Sequence, residues 1–231
     1  MSLNPKFITA KEAAALIPDG ASVMLSGFVG CGSALQVIDE LSKTDVKGLR
    51  LIMNDSSKQN GPDGDEFYSW AKLIHNGQVD GYLGSHLGTN REAQEMQNDG
   101  RLNVDLVPQG SLAEMIRAGG YGLGAVVTPT GVDTLVEKSP FCLGRQTIEG
   151  RDYLLMKPVT ADWAIVKGAK VDKVGNVWYK GTTSNFNIVM ATAADTVIAE
   201  AEQVVEIGGI APEDVRTSGV FVDYVVEGGL Y

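Results

Sequence analysis

The chain has 231 residues, 44% of them hydrophobic and 21% charged, which is enough apolar material for one substantial core and unlike a disordered tail. Its 19 Lys and Arg against 29 Asp and Glu leave a formal net charge of −10, which argues against nucleic acid or an anionic membrane surface as partner. The branched apolar run from Ala21 to Phe28 is far short of the roughly 20 residues that a membrane span needs.

Thr9 to Ile17 mixes charges into an apolar pattern, as a surface helix does and a secretory leader does not. Val23-Met24-Leu25 reads as a strand running into the glycine-rich stretch Gly27 to Gly32, and Ala34 to Leu41 then reads as a helix with Leu35, Ile38 and Leu41 on one face. Leu49 to Met53 is the next strand, ending at Asn54-Asp55. A polar excursion over Ser56 to Asp65 follows, with Phe67, Tyr68 and Trp70 anchoring a short helix. Gly81 to Leu83 and Val104 to Val107 read as strands that feed helices at Thr89 to Glu92 and Gln109 to Leu112. Thr147 to Leu154 reads as a hairpin about Glu149-Gly150, Asp172 to Asn176 as a second turn, Phe186 to Ala194 as a helix, and Thr196 to Glu200 as a closing strand. The acidic run Glu200 to Glu206 reads as a solvated face.

This alternation of strand, small-residue turn and helix predicts one α/β domain over residues 1–231. Its open, mainly parallel sheet carries helices on both faces, with antiparallel additions in the C-terminal half. Ligands of such sheets sit beyond the carboxyl ends of the strands, here Gly27 to Gly32, Asn54-Asp55, Ser85 to Asn90 and Pro108-Gln109-Gly110. Two cysteines, Cys31 and Cys142, without a C-x-x-C pair, point to a reduced, cytoplasmic setting. With His75 and His86 they have no metal-ligand spacing, so no metal is assigned.

Ser26-Gly27-Phe28-Val29-Gly30-Cys31-Gly32 is neither a dinucleotide fingerprint nor a Walker loop. Its glycines fit a backbone that approaches a phosphate, a pantetheine amide or a carboxylate, and equally a tight turn that needs positive φ. Gln109 at a helix opening fits a neutral oxyanion donor or a helix-cap support. Asn54 has the same double reading, since Asn also serves in turns. His86 fits an acid/base or a residue that orders its loop. No G-x-S-x-G element occurs, so the chain has anion-accepting residues without an evident nucleophile.

Taken together, Asp19 to Gly32, Asn54-Asp55, Ser85 to Asn90, Val107 to Leu112, Ile116 to Gly124, Thr128 to Val132, Ala161-Asp162, Gly175-Asn176 and Asn185-Phe186-Asn187 resemble the A (alpha) subunit of the family I coenzyme A transferases. The likeness is to the acetate, acetoacetate, butyrate and 3-oxoacid branch. Ser26 stands where the family usually has a second glycine and Ala34 where it has proline, and Ser57 to Ala71 is longer than in short bacterial relatives. The resemblance implies the superfamily's open α/β sheet and a β subunit, commonly in an α2β2 assembly, whose glutamate in a Ser-Glu-Asn-Gly motif is the nucleophile. That motif is missing from this sequence. It further implies that Gln109 stabilises the oxyanion, that Asn54 is an active-site asparagine, and that Ser26, Gly27, Phe28, Val29, Gly30, Cys31 and Gly32 contact CoA. CoA is then a substrate, and no tightly bound cofactor is expected. The readings from other classes are a sugar-phosphate isomerase or ligand-sensing domain on the same superfamily fold, and a non-catalytic assembly partner.

Overall fold

The computed structural model describes residues 4–61 and 66–229, so residues 62–65 of the expected polar excursion lie outside it. In chain order the elements begin with β1 (Lys6–Ile8), α1 (Ala10–Ala15), β2 (Ser22–Leu25), α2 (Leu35–Ser42), β3 (Leu49–Ile52), β4 (Lys58–Gln59), β5 (Phe67–Tyr68) and α3 (Ala71–His75). Next come β6 (Val79–Gly84), α4 (Arg91–Asn98), β7 (Asn103–Leu106), α5 (Gln109–Gly120), β8 (Val126–Thr128), β9 (Cys142–Ile148) and β10 (Arg151–Met156). The chain closes with β11 (Ala161–Asp172), β12 (Val177–Trp178), α6 (Asn187–Ala191), β13 (Ala194–Val205) and β14 (Tyr224–Glu227).

The main sheet runs β1-β14-β13-β11-β2-β3-β6-β7, every one of these pairs parallel, with β12 added antiparallel to β11. Successive side chains on a strand point to opposite faces, so each strand feeds two cores. Val23, Leu25, Leu49 and Leu51 face Val37, Ile38 and Leu41 of α2 together with α1, α3 and α4. Met24, Ile52 and Leu83 face Leu112, Met115 and Ile116 of α5 and Met190 of α6. Helices therefore cover both faces, as the alternation predicts.

The second-half hairpin about Glu149-Gly150 exists as β9 and β10, but with β8 it builds a separate three-stranded antiparallel sheet rather than joining the main one. The turn at Asp172 to Asn176 does add a strand to the main sheet, through β12. Of the aromatic trio, Trp70 is fully buried at the start of α3, and Phe67, in half-buried β5 with Tyr68, stacks on His75 at the end of α3 with ring centroids 3.9 Å apart. The closing helix is shorter than expected, and Ala194 already belongs to β13, whose twelve residues pair along β11.

The solvated reading of Glu200 to Glu206 fails at its first residue. Glu200 is 0% exposed and stands in register with Lys167 on β11, whose Nζ donates to Glu200 Oε1 at 3.0 Å. Glu200 Oε2 also accepts the N–H of Val37 at 3.0 Å. Ala34 gives α2 no side-chain cap, so a carboxylate from across the sheet satisfies an orphan donor of its first turn.

Candidate functional site

β11 and β3 lie on opposite sides of β2, so the chain leaves β2 at the point where the strand order reverses, the usual place for a ligand crevice. The glycine loop occupies that point. Phe28 and Cys31 exchange backbone hydrogen bonds of 3.0 and 2.9 Å across Val29 and Gly30, both left-handed, with φ of 48° and 86°. The Gly30 conformation suits glycine, and a Cβ there would meet the Tyr68 ring at 1.9 Å. Val29 is β-branched, so the same conformation costs it about 1–3 kcal/mol that the surroundings must hold in place.

Ser26 is buried, and its hydroxyl donates to Ile165 O at 3.1 Å and Gly32 O at 3.3 Å. Gly27 and Gly30 are buried too, whereas Phe28 and Cys31 are exposed and Val29 and Gly32 half-buried. From the other side Asn185 Nδ2 donates to Cys31 O and Asn187 Nδ2 to Gly32 O, each at 3.0 Å. The N-terminus of α2 offers less to an anion than its glycine-rich approach suggests, because Glu200 already occupies the Val37 N–H. The recess beside the loop, lined by Gly30, Gly32, Ser33, Tyr68, Lys167 and Thr183, encloses about 120 Å³.

Asn54 and Gln109 come together at the carboxyl ends of β3 and β7. Gln109 Nε2 donates to Asn54 Oδ1 at 2.6 Å, while Asn54 Nδ2 donates to Asp55 Oδ2 at 2.9 Å. Asn54 is 1% exposed and its carbonyl accepts both the N–H and the hydroxyl of Ser85, so its place is set by the neighbouring strand end. Gln109 is exposed at the first turn of α5, with one Nε2 hydrogen committed to Asn54. An amide carries a second hydrogen on that nitrogen, which is a neutral donor for negative charge developing on a substrate.

Asp55 is the residue that the sequence reading left without a role. It is 1% exposed, and its carboxylate accepts Val29 N–H and Ser57 N–H, each at 2.8 Å, besides Asn54 Nδ2. Trp70 Nε1 donates to its carbonyl at 2.8 Å. Burial, and then the Asp55 charge, push the Tyr82 phenol well above its ordinary range, and its hydroxyl donates to His86 O at 2.9 Å. His86 is exposed, and its carbonyl also accepts Ser56 N–H at 3.1 Å while the Asn54 carbonyl accepts Ser85 N–H at 2.9 Å, which ties the two loops together. Asp162 stands away from the site, at the opposite end of the sheet, where Ser22 N–H and hydroxyl donate to it at 2.8 and 2.7 Å. Asn176 likewise serves a turn, accepting Gly219 N–H and donating to Asp172.

The Coenzyme A transferase family profile matches residues 7–228 of this chain. The acetoacetyl-CoA:acetate/butyrate CoA transferase alpha subunit of Clostridium acetobutylicum is 42% identical over 225 residues, covering 97% of this chain and 99% of that one. The acetate CoA-transferase subunit alpha of Escherichia coli K12 is 36% identical and covers 97% of both chains. The mouse mitochondrial succinyl-CoA:3-ketoacid coenzyme A transferase 2A is also 36% identical, but 92% of this chain matches only 42% of that polypeptide. Among solved structures, an acyl-CoA transferase of E. coli O157:H7, in a thioester complex with CoA, superposes with a TM-score of 0.84 at 20% identity, covering 99% of this chain and 49% of that one. Glutaconate coenzyme A-transferase of Acidaminococcus fermentans superposes at 0.80 with 18% identity, covering 97% and 76%. At those identities the superpositions speak for the fold, while the profile and the curated relatives carry the lineage: the chain belongs to the coenzyme A transferase family.

Proposed function

We propose that this chain is the α subunit of a heteromeric CoA transferase that moves CoA between a short-chain acyl-CoA and a carboxylate acceptor of the acetate, acetoacetate or butyrate class. Its two similar bacterial relatives are named as alpha subunits of such enzymes, and they match this chain from end to end. The mouse relative is more than twice as long as its matched part, which supports a second half-enzyme as partner. The 231 residues then act as one unit within an α2β2 assembly, with CoA as substrate rather than resident cofactor.

The observation that carries this reading is the Gln109 amide, fixed by Asn54 at 2.6 Å, exposed and with a second N–H to give. In the proposed reaction a glutamate of the β subunit attacks the thioester carbonyl. Its carboxylate oxygen bonds to the acyl carbon, the carbonyl oxygen becomes an oxyanion, and collapse breaks the C–S bond to release CoA thiolate. The thiolate then attacks the glutamyl carbonyl of the mixed anhydride, expelling the donor carboxylate and leaving a glutamyl-CoA thioester. An acceptor carboxylate resolves that thioester by the reverse steps. Gln109 serves each oxyanion as a donor that does not titrate, Asn54 holds it in place, and the loop from Ser26 to Gly32 flanks the CoA path.

Gln109→Ala in the enzyme reconstituted with its β subunit tests the assignment. Loss of an oxyanion donor lowers kcat on the order of 100-fold. Turnover near wild type would remove Gln109 from the mechanism.

A further inference from the structure

We infer that Asp55 is a positioning residue of the transfer reaction, one carboxylate that sets both the glycine loop and the direction in which the Gln109 amide is presented. The inference rests on the reading of Gln109 as the oxyanion donor. Asp55 Oδ2 accepts Val29 N–H and Asn54 Nδ2, and Oδ1 accepts Ser57 N–H, so its oxygens reach two loops and one site side chain. Both backbone donors belong to left-handed, non-glycine residues, Val29 at φ 48° and Ser57 at φ 59°. Neither conformation is favourable by itself, and each turns an N–H onto the same buried anion. A charge-assisted bond to a carboxylate is stronger than one to a neutral acceptor, which is what holding two such turns requires.

The third bond decides an orientation. An Asn amide has two nearly isosteric ends, and with Nδ2 drawn to Asp55 its Oδ1 faces Gln109. The reversed amide would set NH2 against NH2 and put Oδ1 beside a carboxylate. Asp55 thereby forces Gln109 to bind Asn54 through one Nε2 hydrogen and to keep the other for substrate. An Asn at position 55 keeps one acceptor oxygen in place of two and that oxygen is uncharged, so at least one of these donors meets an NH2 and the others lose the charge assistance, while the side-chain volume stays the same.

The test is a double-mutant cycle in the reconstituted two-subunit enzyme, with Asp55→Asn, Gln109→Ala and the pair together, alongside hydrogen exchange of the Val29 amide. Asp55→Asn is expected to lower kcat by 10- to 100-fold with KM for acyl-CoA changed much less, and to speed Val29 exchange at least tenfold while Leu51 in the core strand stays protected. In the Gln109→Ala background Asp55→Asn should then add little, because the group through which it acts is gone. Multiplicative losses, or a Val29 amide that exchanges as in the wild type, would overturn the inference. A neutral Gln109→Ala would defeat the oxyanion reading alone, and the Val29 exchange rate would then decide the loop-holding role of Asp55 by itself. If Asp55→Asn fails to fold, Asn54→Ala takes its place: it removes the amide that Asp55 orients and leaves the Val29 and Ser57 N–H groups on the Asp55 carboxylate, and should lower kcat without changing Val29 exchange, whereas full activity would again overturn the inference.

Discussion

Glu200→Gln removes the negative member of a pair that the sheet has taken almost entirely out of water, Glu200 at 0% and Lys167 at 5% exposure. Burial pushes the Glu200 carboxyl upward, and the Lys167 ammonium facing it and the Val37 N–H draw it back. Glutamine has one acceptor oxygen in place of two, so if it keeps the Val37 bond its NH2 faces the Lys167 ammonium, and the change removes both the charge and that acceptor from the lysine. The buried ammonium then loses its carboxylate, a loss that costs about 3–5 kcal/mol. Against a total stability of ~5–15 kcal/mol this is severe, and for a chain of this length it lowers the melting temperature by roughly 6–20 °C. The assay is urea and thermal unfolding of the chain followed by circular dichroism. Adding Lys167→Met should recover most of the loss, because an apolar side chain of similar volume needs no counter-ion. A Glu200→Gln variant within about 0.5 kcal/mol of wild type, or a double variant worse than the single one, would refute a charged pair at this place in the sheet.

The remaining predictions concern the ends of the sheet. Hydrogen bonds from Ser22 hold the Asp162 carboxyl below its ordinary value of 3.8. Its contribution to stability is therefore present above that value and lost as pH falls through the lower, folded-state value. Asp162→Asn should flatten the acid limb of the stability-pH profile, measured by unfolding at a series of pH values, and leave the profile near neutrality parallel to wild type. Gly119→Ala should destabilise by about 1–3 kcal/mol despite alanine's better helix propensity, since the added Cβ would stand 2.1 Å from the Val159 carbonyl oxygen. A stabilised Gly119→Ala variant in a melting experiment would show that α5 does not approach the Val159 carbonyl so closely.

The layered α/β plan was legible because strand, turn and helix alternate from Val23 to Leu112, and local periodicity records such alternation well. β11 was not, since Lys167, Gly168 and Lys170 interrupt its apolar run and the buried Lys167 is paired with Glu200 on the neighbouring strand. The same long-range pairing hid Glu200 within an acidic run. Residues placed by strand ends, Asn54 and Gln109, were legible as candidates, and their direct contact was not, because it joins positions 55 residues apart. Asp55 was visible only as the neighbour of Asn54. Its role depends on where the Val29 and Ser57 amides turn, and left-handed conformations of Val and Ser leave no mark in composition. Gly119 and Gly120 are the last two residues of α5, and the close approach of the Val159 and Thr192 carbonyls to them is a long-range contact that local pattern does not record.

The claim at the centre of this account is that the chain contributes the polarising amide and the β subunit contributes the attacking carboxylate. The direct measurement is intact-mass spectrometry of both polypeptides after the reconstituted enzyme has been incubated with acyl-CoA and quenched. The predicted result is a mass gain of CoA less water on the β polypeptide, with this chain unmodified and, when assayed by itself, without transferase turnover. A CoA or acyl adduct mapped to a glutamate of this chain would contradict it.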